Sequence, residues 1–186
     1  DASVSADDVT LALDNTTAKI VAVTVPEGLE VNYTVVDSAV ISVADDGAIT
    51  PLKVGTTTVT ITTKADGVYA VNSTTITVTV NKIVTSIQVS TDPISLRVNE
   101  NTDIGASLIP ADAGNLTYAS SNEGVVKVVD GMIIAVGEGT ATVTVSFAGN
   151  ANYTEAEDKT ITVTVSLNDA SVSADDVTLA LDNTTA

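Results

Sequence analysis

Threonine alternates with valine or isoleucine over four stretches of the chain: Thr57–Thr63, Thr75–Val80, Thr140–Val145 and Thr160–Val165. A period of two puts the branched apolar side chains on one face and the hydroxyls on the other, the mark of a half-buried strand. The first stretch of each pair follows a glycine, Gly55 or Gly139. Weaker alternation predicts further strands near residues 8–13, 19–25, 30–36, 39–43 and 47–54. A second set is predicted near 86–98 with a break at Pro93, then 102–108, 115–120, 125–129 and 132–136. Turn signals separate them, among them Asp45-Asp46-Gly47, Asp66-Gly67, Asp130-Gly131 and Gly149-Asn150, where Gly accepts positive φ and Asp or Asn bonds its own backbone. No segment has helical periodicity.

The two sets of strands form a divergent repeat of about 84 residues. Tyr33 aligns with Tyr118, Val40 with Val125, Val43 with Val128, Gly47 with Gly131, Ile49 with Ile133, Leu52 with Val136 and Tyr69 with Tyr153. A longer repeat overlies it: residues 169–186 reproduce residues 1–18 without a substitution. The expected organisation is therefore one domain over 1–82, a second over 83–168, and the start of a further repeat over 169–186. About seven short strands per unit fit an immunoglobulin-like sandwich. The expected fold is all-β: two tandem immunoglobulin-like β-sandwiches plus the first strand or strands of a following repeat. The junctions Asn81-Lys82-Ile83-Val84 and Ser166-Leu167-Asn168-Asp169 contain no Gly/Ser-rich spacer, which predicts restricted hinges.

Composition narrows the chemistry. Of 186 residues 44% are hydrophobic and only 3% aromatic, with no Trp, Cys or His, so the cores are aliphatic and carry no disulfide. The formal charge of −17 is spread along the chain, leaving no basic patch for nucleic acid or anionic lipid. No apolar run approaches the ~20 residues that cross a bilayer as a helix, and no signal segment opens the sequence. Six Asn-x-Ser/Thr sequons, at Asn15, Asn32, Asn72, Asn115, Asn152 and Asn183, are candidate glycosylation sites and suggest an outer surface.

Without His or Cys there is no nucleophile–base arrangement to propose. The pairs Asp7/Asp8 and Asp45/Asp46 have no aromatic sugar platform beside them. The expectation is a protein that is not an enzyme and needs no cofactor. Calcium is the one metal considered, because Asp169, Asp175 and Asp176 follow the second junction and offer oxygen ligands. With no Asp-x-Asp-x-Asp-Gly loop and distal Glu, no metal ligand is assigned. Lys19, Lys64 and Lys159 lie in or beside predicted strands and are candidates for Lys–Asn crosslinks. The four tyrosines, Tyr33, Tyr69, Tyr118 and Tyr153, are expected at equivalent core or corner positions.

The run Asn115-Leu116-Thr117-Tyr118-Ala119-Ser120-Ser121-Asn122, then Val125-Val126-Lys127-Val128 and Gly137-Glu138-Gly139-Thr140-Ala141-Thr142-Val143-Thr144-Val145, resembles the bacterial Ig-like group 2 domains. Tyr118 stands where those domains usually carry Trp. The first unit keeps Tyr33, the hairpin through Asp46-Gly47-Ala48-Ile49 and the Gly55 strand, but reads Val36-Asp37-Ser38 in place of the Ser-Ser-Asn turn. The resemblance implies a stalk or adhesin module of a bacterial or archaeal surface protein. Its partners would be neighbouring Ig-like repeats or identical subunits, with any host-cell or glycan receptor contacted by other regions. The alternative is a filament subunit joined head to tail, residues 169–186 of one chain adding a β-strand to the next.

Overall fold

The computed structural model describes residues 1–65 and 67–174. Unit 1 comprises β1 (Ser3–Ser5), β2 (Val9–Ala12), β3 (Val23–Val25), β4 (Val31–Val35), β5 (Ile41–Val43), β6 (Ile49–Pro51), β7 (Gly55–Thr63) and β8 (Ser73–Asn81). Unit 2 comprises β9 (Ser86–Val89), β10 (Ile94–Arg97), β11 (Asn101–Asp103), β12 (Ala106–Ile109), β13 (Thr117–Ser120), β14 (Val126–Val129), β15 (Met132–Ala135), β16 (Gly139–Phe147) and β17 (Ala156–Ser166). A 3-10 turn at Ala111–Ala113 is the only helical element among the described residues.

Each unit is a sandwich. One face is a four-stranded sheet, ordered β2-β8-β7-β4 in unit 1 and β10-β17-β16-β13 in unit 2. The opposite face is built from smaller pieces, β1-β3 and β5-β6 in unit 1, and β9-β12 and β11-β15-β14 in unit 2. The Thr/Val stretches form the long hairpins β7/β8 and β16/β17. In them Val59, Ile61, Val78, Val143, Ile161 and Val163 are fully buried. Each such side chain contributes about 1.5–3 kcal/mol by leaving water. One apolar cluster runs from Val4 to Val80 and the other from Ile87 to Val165. Two threonines turn inward on β7, and both are satisfied: Thr57 Oγ1 accepts from the Asp37 N–H at 2.9 Å, and Thr63 Oγ1 accepts from the Asn72 N–H at 2.9 Å.

Both long hairpins are completed by a strand from the start of their own unit. β2 pairs in parallel with β8, Val9 opposite Val78 and Leu11 opposite Val80. β10 pairs in parallel with β17, Ile94 opposite Val163 and Leu96 opposite Val165. A carboxylate fixes each arrival. Asp8 Oδ1 accepts from the Thr77 N–H at 2.7 Å, and Asp92 Oδ1 accepts from the Thr162 N–H at 3.0 Å.

The aligned pairs of the divergent repeat occupy matching places. Val40 O accepts from Leu52 N–H and Lys53 N–H, and Val125 O accepts from Val136 N–H and Gly137 N–H. Ile20 N–H donates to Gly47 O, and Ile104 N–H donates to Gly131 O. Gly47 and Gly131 hold φ of +86° and +83°, and Tyr33 or Tyr118 lays its hydroxyl against the glycine.

Several strands depart from the sequence expectation. β1 was not expected, because Ser-Val-Ser offers a single apolar position; Val4 is nonetheless buried and Ser3–Ser5 pairs with Val25–Val23. The strand expected at 102–108 is two, β11 and β12, parted at Gly105 with φ +62°. The one expected at 19–25 is an isolated bridge, Lys19 with Ala48, followed by the short β3. Of the following repeat, Ser171–Ser173, the copy of β1, is not in a strand, and residues 175–186 lie outside the described residues.

Two substitutions test this framework. In Gly47→Ala the new Cβ would stand 2.6 Å from Ile20 O at a positive φ, so thermal unfolding should show a loss above about 1 kcal/mol and a Tm lower by at least about 4–8 °C. Asp8→Ala strips the Thr77 N–H of its acceptor and should cost about 1–3 kcal/mol in urea melts, with Asp7→Ala within about 0.5 kcal/mol of the parent.

Candidate assembly surface

The side chains that sequence reading singled out for chemistry serve the fold. Asp8 anchors β2, as above, and Asp7 is not drawn into a pair with it. Asp46 caps its own turn, accepting from the Ala48 N–H at 3.0 Å, and pairs with Lys19 at 3.1 Å. The Ala48 N–H first, and Lys19 second, hold its carboxyl below the usual range. The three lysines considered for crosslinks all meet exposed carboxylates: Lys19 with Asp46, Lys64 with Glu30 at 3.0 Å and Lys159 with Glu157 at 3.2 Å. None is buried against an Asn and an acid, the arrangement that a crosslink requires.

An open groove of about 930 Å3 runs beside β3, lined by Val23 and Val25 and by Glu27, Glu30, Asp45 and Asp46. Lys64 and Lys19 neutralise two of the four carboxylates. Among the described residues no three acidic side chains gather to hold a metal ion. Asp169 instead pairs with Arg97 at 2.8 Å; Asp175 and Asp176 lie outside the described residues.

Four of the sequon asparagines, Asn32, Asn72, Asn115 and Asn152, are exposed. Asn15 is half-buried, and its Oδ1 accepts from the Thr17 and Ala18 N–H groups. Asn183 lies outside the described residues.

The repeated segment has the most informative surroundings. As residues 1–18 it builds β1 and β2, burying Ala2, Val4 and Leu11. As residues 169–174 the same sequence is exposed: Val172 is 96% accessible where its counterpart Val4 is 6% accessible. Among the described residues, the chain leaving β17 is held to unit 2 by three contacts. Arg97 Nη1 donates to Leu167 O at 3.1 Å, Asn168 Nδ2 donates to Val98 O at 3.1 Å, and Arg97 pairs with Asp169.

The internal junction is built differently. Ile83, between the units, forms a parallel bridge with Tyr153, its N–H donating to Asn152 O and its carbonyl accepting from Thr154 N–H, both at 2.9 Å. Thr85 N–H donates to Thr154 Oγ1 at 3.1 Å, and Thr85 Oγ1 donates to Thr154 O at 2.9 Å. The tyrosine expectation holds for three positions. Tyr33 and Tyr118 pack on the cores, and Tyr153 packs on the second core while donating to Asp112 Oδ2 at 3.0 Å. Tyr69 does not join the first core and is 39% exposed. Sequence reading also missed Asp92, Arg97 and Ile83, although the recurrence of an Asp ahead of both early strands was available as a signal.

No family model matches the sequence, and no curated protein does. Solved structures with a similar arrangement include domains 1–6 of the surface layer protein SbsC, at 18% identity and a TM-score of 0.45 over 91% of this chain and 28% of that one. Domains 4 and 5 of the S-layer protein SbsC align at 16% identity and a TM-score of 0.43, over 89% of this chain and 97% of that one. The EC1-2 fragment of human protocadherin-24 aligns at 14% identity and a TM-score of 0.39, over 88% of this chain and 95% of that one. In the longer SbsC structures the chain spans 28–31% of the length.

Burial, the largest influence, raises the phenol pKa of Tyr33 and of Tyr118 above 10.0. A group whose folded pKa is raised stabilises fully below its unfolded pKa and loses that contribution as pH rises through the folded one. Tm should therefore fall as pH rises past about 10, and the fall should be shallower in Tyr33→Phe and Tyr118→Phe, followed by calorimetry alongside absorbance titration of the phenols.

Proposed function

We propose that this chain is a structural spacer from a repetitive surface protein: paired Ig-like modules of the bacterial group 2 kind, repeated in tandem to form an extracellular stalk. The observation that carries the reading is the verbatim return of residues 1–18 at 169–186. A unit of 168 residues that begins again immediately, with no flexible spacer at either junction, suits a stiff array whose work is done by its length. The function proposed is non-enzymatic and metal-free. Buried side-chain polar atoms among the described residues are satisfied within the fold, and two of the four carboxylates at the groove beside β3 are paired with Lys19 and Lys64. The exposed sequon asparagines would carry glycans on the sides of the stalk, and binding to a receptor would belong to other regions of the protein.

A second reading is favoured by one observation. Val172 is exposed in a sequence whose other copy builds two strands, so residues 169–186 of one chain have a defined alternative place, the β1/β2 position of another. In that reading the chain is a filament subunit joined by strand donation.

Light scattering and negative-stain microscopy of the chain with and without residues 169–186, over a range of concentrations, separate the two. The stalk reading expects short monomeric rods from both forms. Filaments that need residues 169–186 would establish strand donation instead.

A further inference from the structure

We propose that the groove beside β3 in unit 1 binds an extended polypeptide segment in which apolar residues alternate with lysine or arginine, taken up as a strand along β3. The proposal goes beyond the spacer reading and does not depend on it: it adds a contact on the side of the module, whatever other regions of the protein bind.

The groove stands where unit 1 lacks what closes the same end of unit 2. β3 and β12 are matching strands, since the Ile20 and Ile104 N–H groups meet Gly47 O and Gly131 O alike, and a proline follows each, Pro26 or Pro110. In unit 2 that end is filled by Phe147, 6% exposed and seated against Gly114. The 3-10 turn Ala111–Ala113 folds over it, Ala113 buried and its carbonyl held by Asn150 Nδ2 at 2.7 Å. Tyr33 faces Ile61 and Tyr118 faces Val145, so Thr63 takes the register position of Phe147. A threonine fills less space than a phenyl ring, and the connection from Pro26 to Tyr33 is one residue shorter than that from Pro110 to Tyr118. The groove of about 930 Å3 lies along that shorter loop and beside Lys64, the residue after Thr63.

β3 offers an edge to this groove. In unit 2 the chain ahead of β12 is laddered to β15 through the three residues of β11, whereas in unit 1 the equivalent contact is the single bridge of Lys19 with Ala48. Beyond that bridge β3 has β1 on one side and, among the described residues, no strand on the other. Val21, Val23 and Val25 are 71%, 58% and 59% exposed, where unit 2 carries Gly105, Ser107 and Ile109. A row of exposed β-branched side chains on a strand with one unladdered edge is a template for strand addition.

Charge selects the occupant. Of the carboxylates lining the groove, Glu30 is paired with Lys64 and Asp46 with Lys19. Glu27 and Asp45 have no cation beside them among the described residues. A strand with a period of two sets apolar side chains beside Val23 and Val25 on one face and cations toward Glu27 and Asp45 on the other. A second copy of this chain does not provide such a strand: its nearest two cations in sequence, Lys53 and Lys64, are farther apart than a short strand spans, and its charge of −17 repels a like copy. The partner is a different, basic polypeptide.

The test is an NMR titration of the full chain with the capped peptide Lys-Val-Lys-Val-Lys-Val, beside Lys-Lys-Lys-Val-Val-Val, of the same composition without alternation, and Glu-Val-Glu-Val-Glu-Val. Strand addition predicts saturable shifts of the Ala22–Val25 and Asp45 amides with the alternating basic peptide, and binding about tenfold or more weaker to the block and acidic peptides. Val23→Lys, at an exposed position, should weaken binding by about the same factor while leaving amide signals outside the groove in place. Val36→Lys, the same change of charge at an exposed site of unit 1 outside the groove, should leave it within about twofold. Equal binding of the block peptide, equal loss in Val36→Lys, or no saturable shift along β3 would overturn the proposal. Shifts along β3 that grow with protein concentration in the absence of peptide would overturn it too, by giving the groove to a second copy.

Discussion

The parallel ladder between an early strand and the last strand of each unit is the constraint on which the rest of the architecture depends. β8 and β17 are flanked on one edge by their hairpin partners and on the other by β2 and β10. Without the early strand, the buried row of Val78 and Val80, or of Val163 and Val165, would border an open edge whose main-chain groups need a partner. The unit closes only when residues some 70 positions apart meet, and Asp8 and Asp92 mark the place of meeting with one hydrogen bond each. Such long-range closure makes the first residues of a unit structural members rather than a leader. That is why a second copy of those residues carries so much information.

Electrostatics follows the same logic. A net charge of −17 without a basic patch leaves each unit repelling its neighbours in solution. The ion pairs of Lys19, Lys64 and Lys159 are exposed, so solvent and salt screen them and they add little to stability. Stability lies in the two aliphatic clusters, and the carboxylates that matter act as acceptors for particular backbone N–H groups.

The sandwich was legible because Thr/Val alternation states both the strand and its buried face, and because Gly47 and Gly131 mark the hairpin turns beneath Tyr33 and Tyr118. β1 was not legible, since Ser-Val-Ser is too short for a pattern and Val4 is buried only by what packs around it. Gly105 gave no warning that it divides a strand, because a glycine within alternation is compatible with either outcome. The lysines and acid pairs read as candidate chemistry only because sequence adjacency says nothing about which backbone amide a carboxylate will meet. The contrast between Tyr69 and Tyr153 was hidden for a related reason: the two align, but the bridge of Tyr153 to Ile83 and its bond to Asp112 are made with residues far away in the sequence.

The pairing of β2 with β8 also has a direction. Parallel neighbours begin at the same end of the sheet, so tension applied to the chain before β2 and after β8 draws the two strands in opposite senses along their shared axis. The ladder from Val9 to Ala12 is then loaded in shear, its hydrogen bonds strained together instead of opening one after another. β10 and β17 repeat the arrangement. Each unit thereby sets its parallel ladder across the load path, behind the entering strand β1 or β9, like a clasp set across a strap.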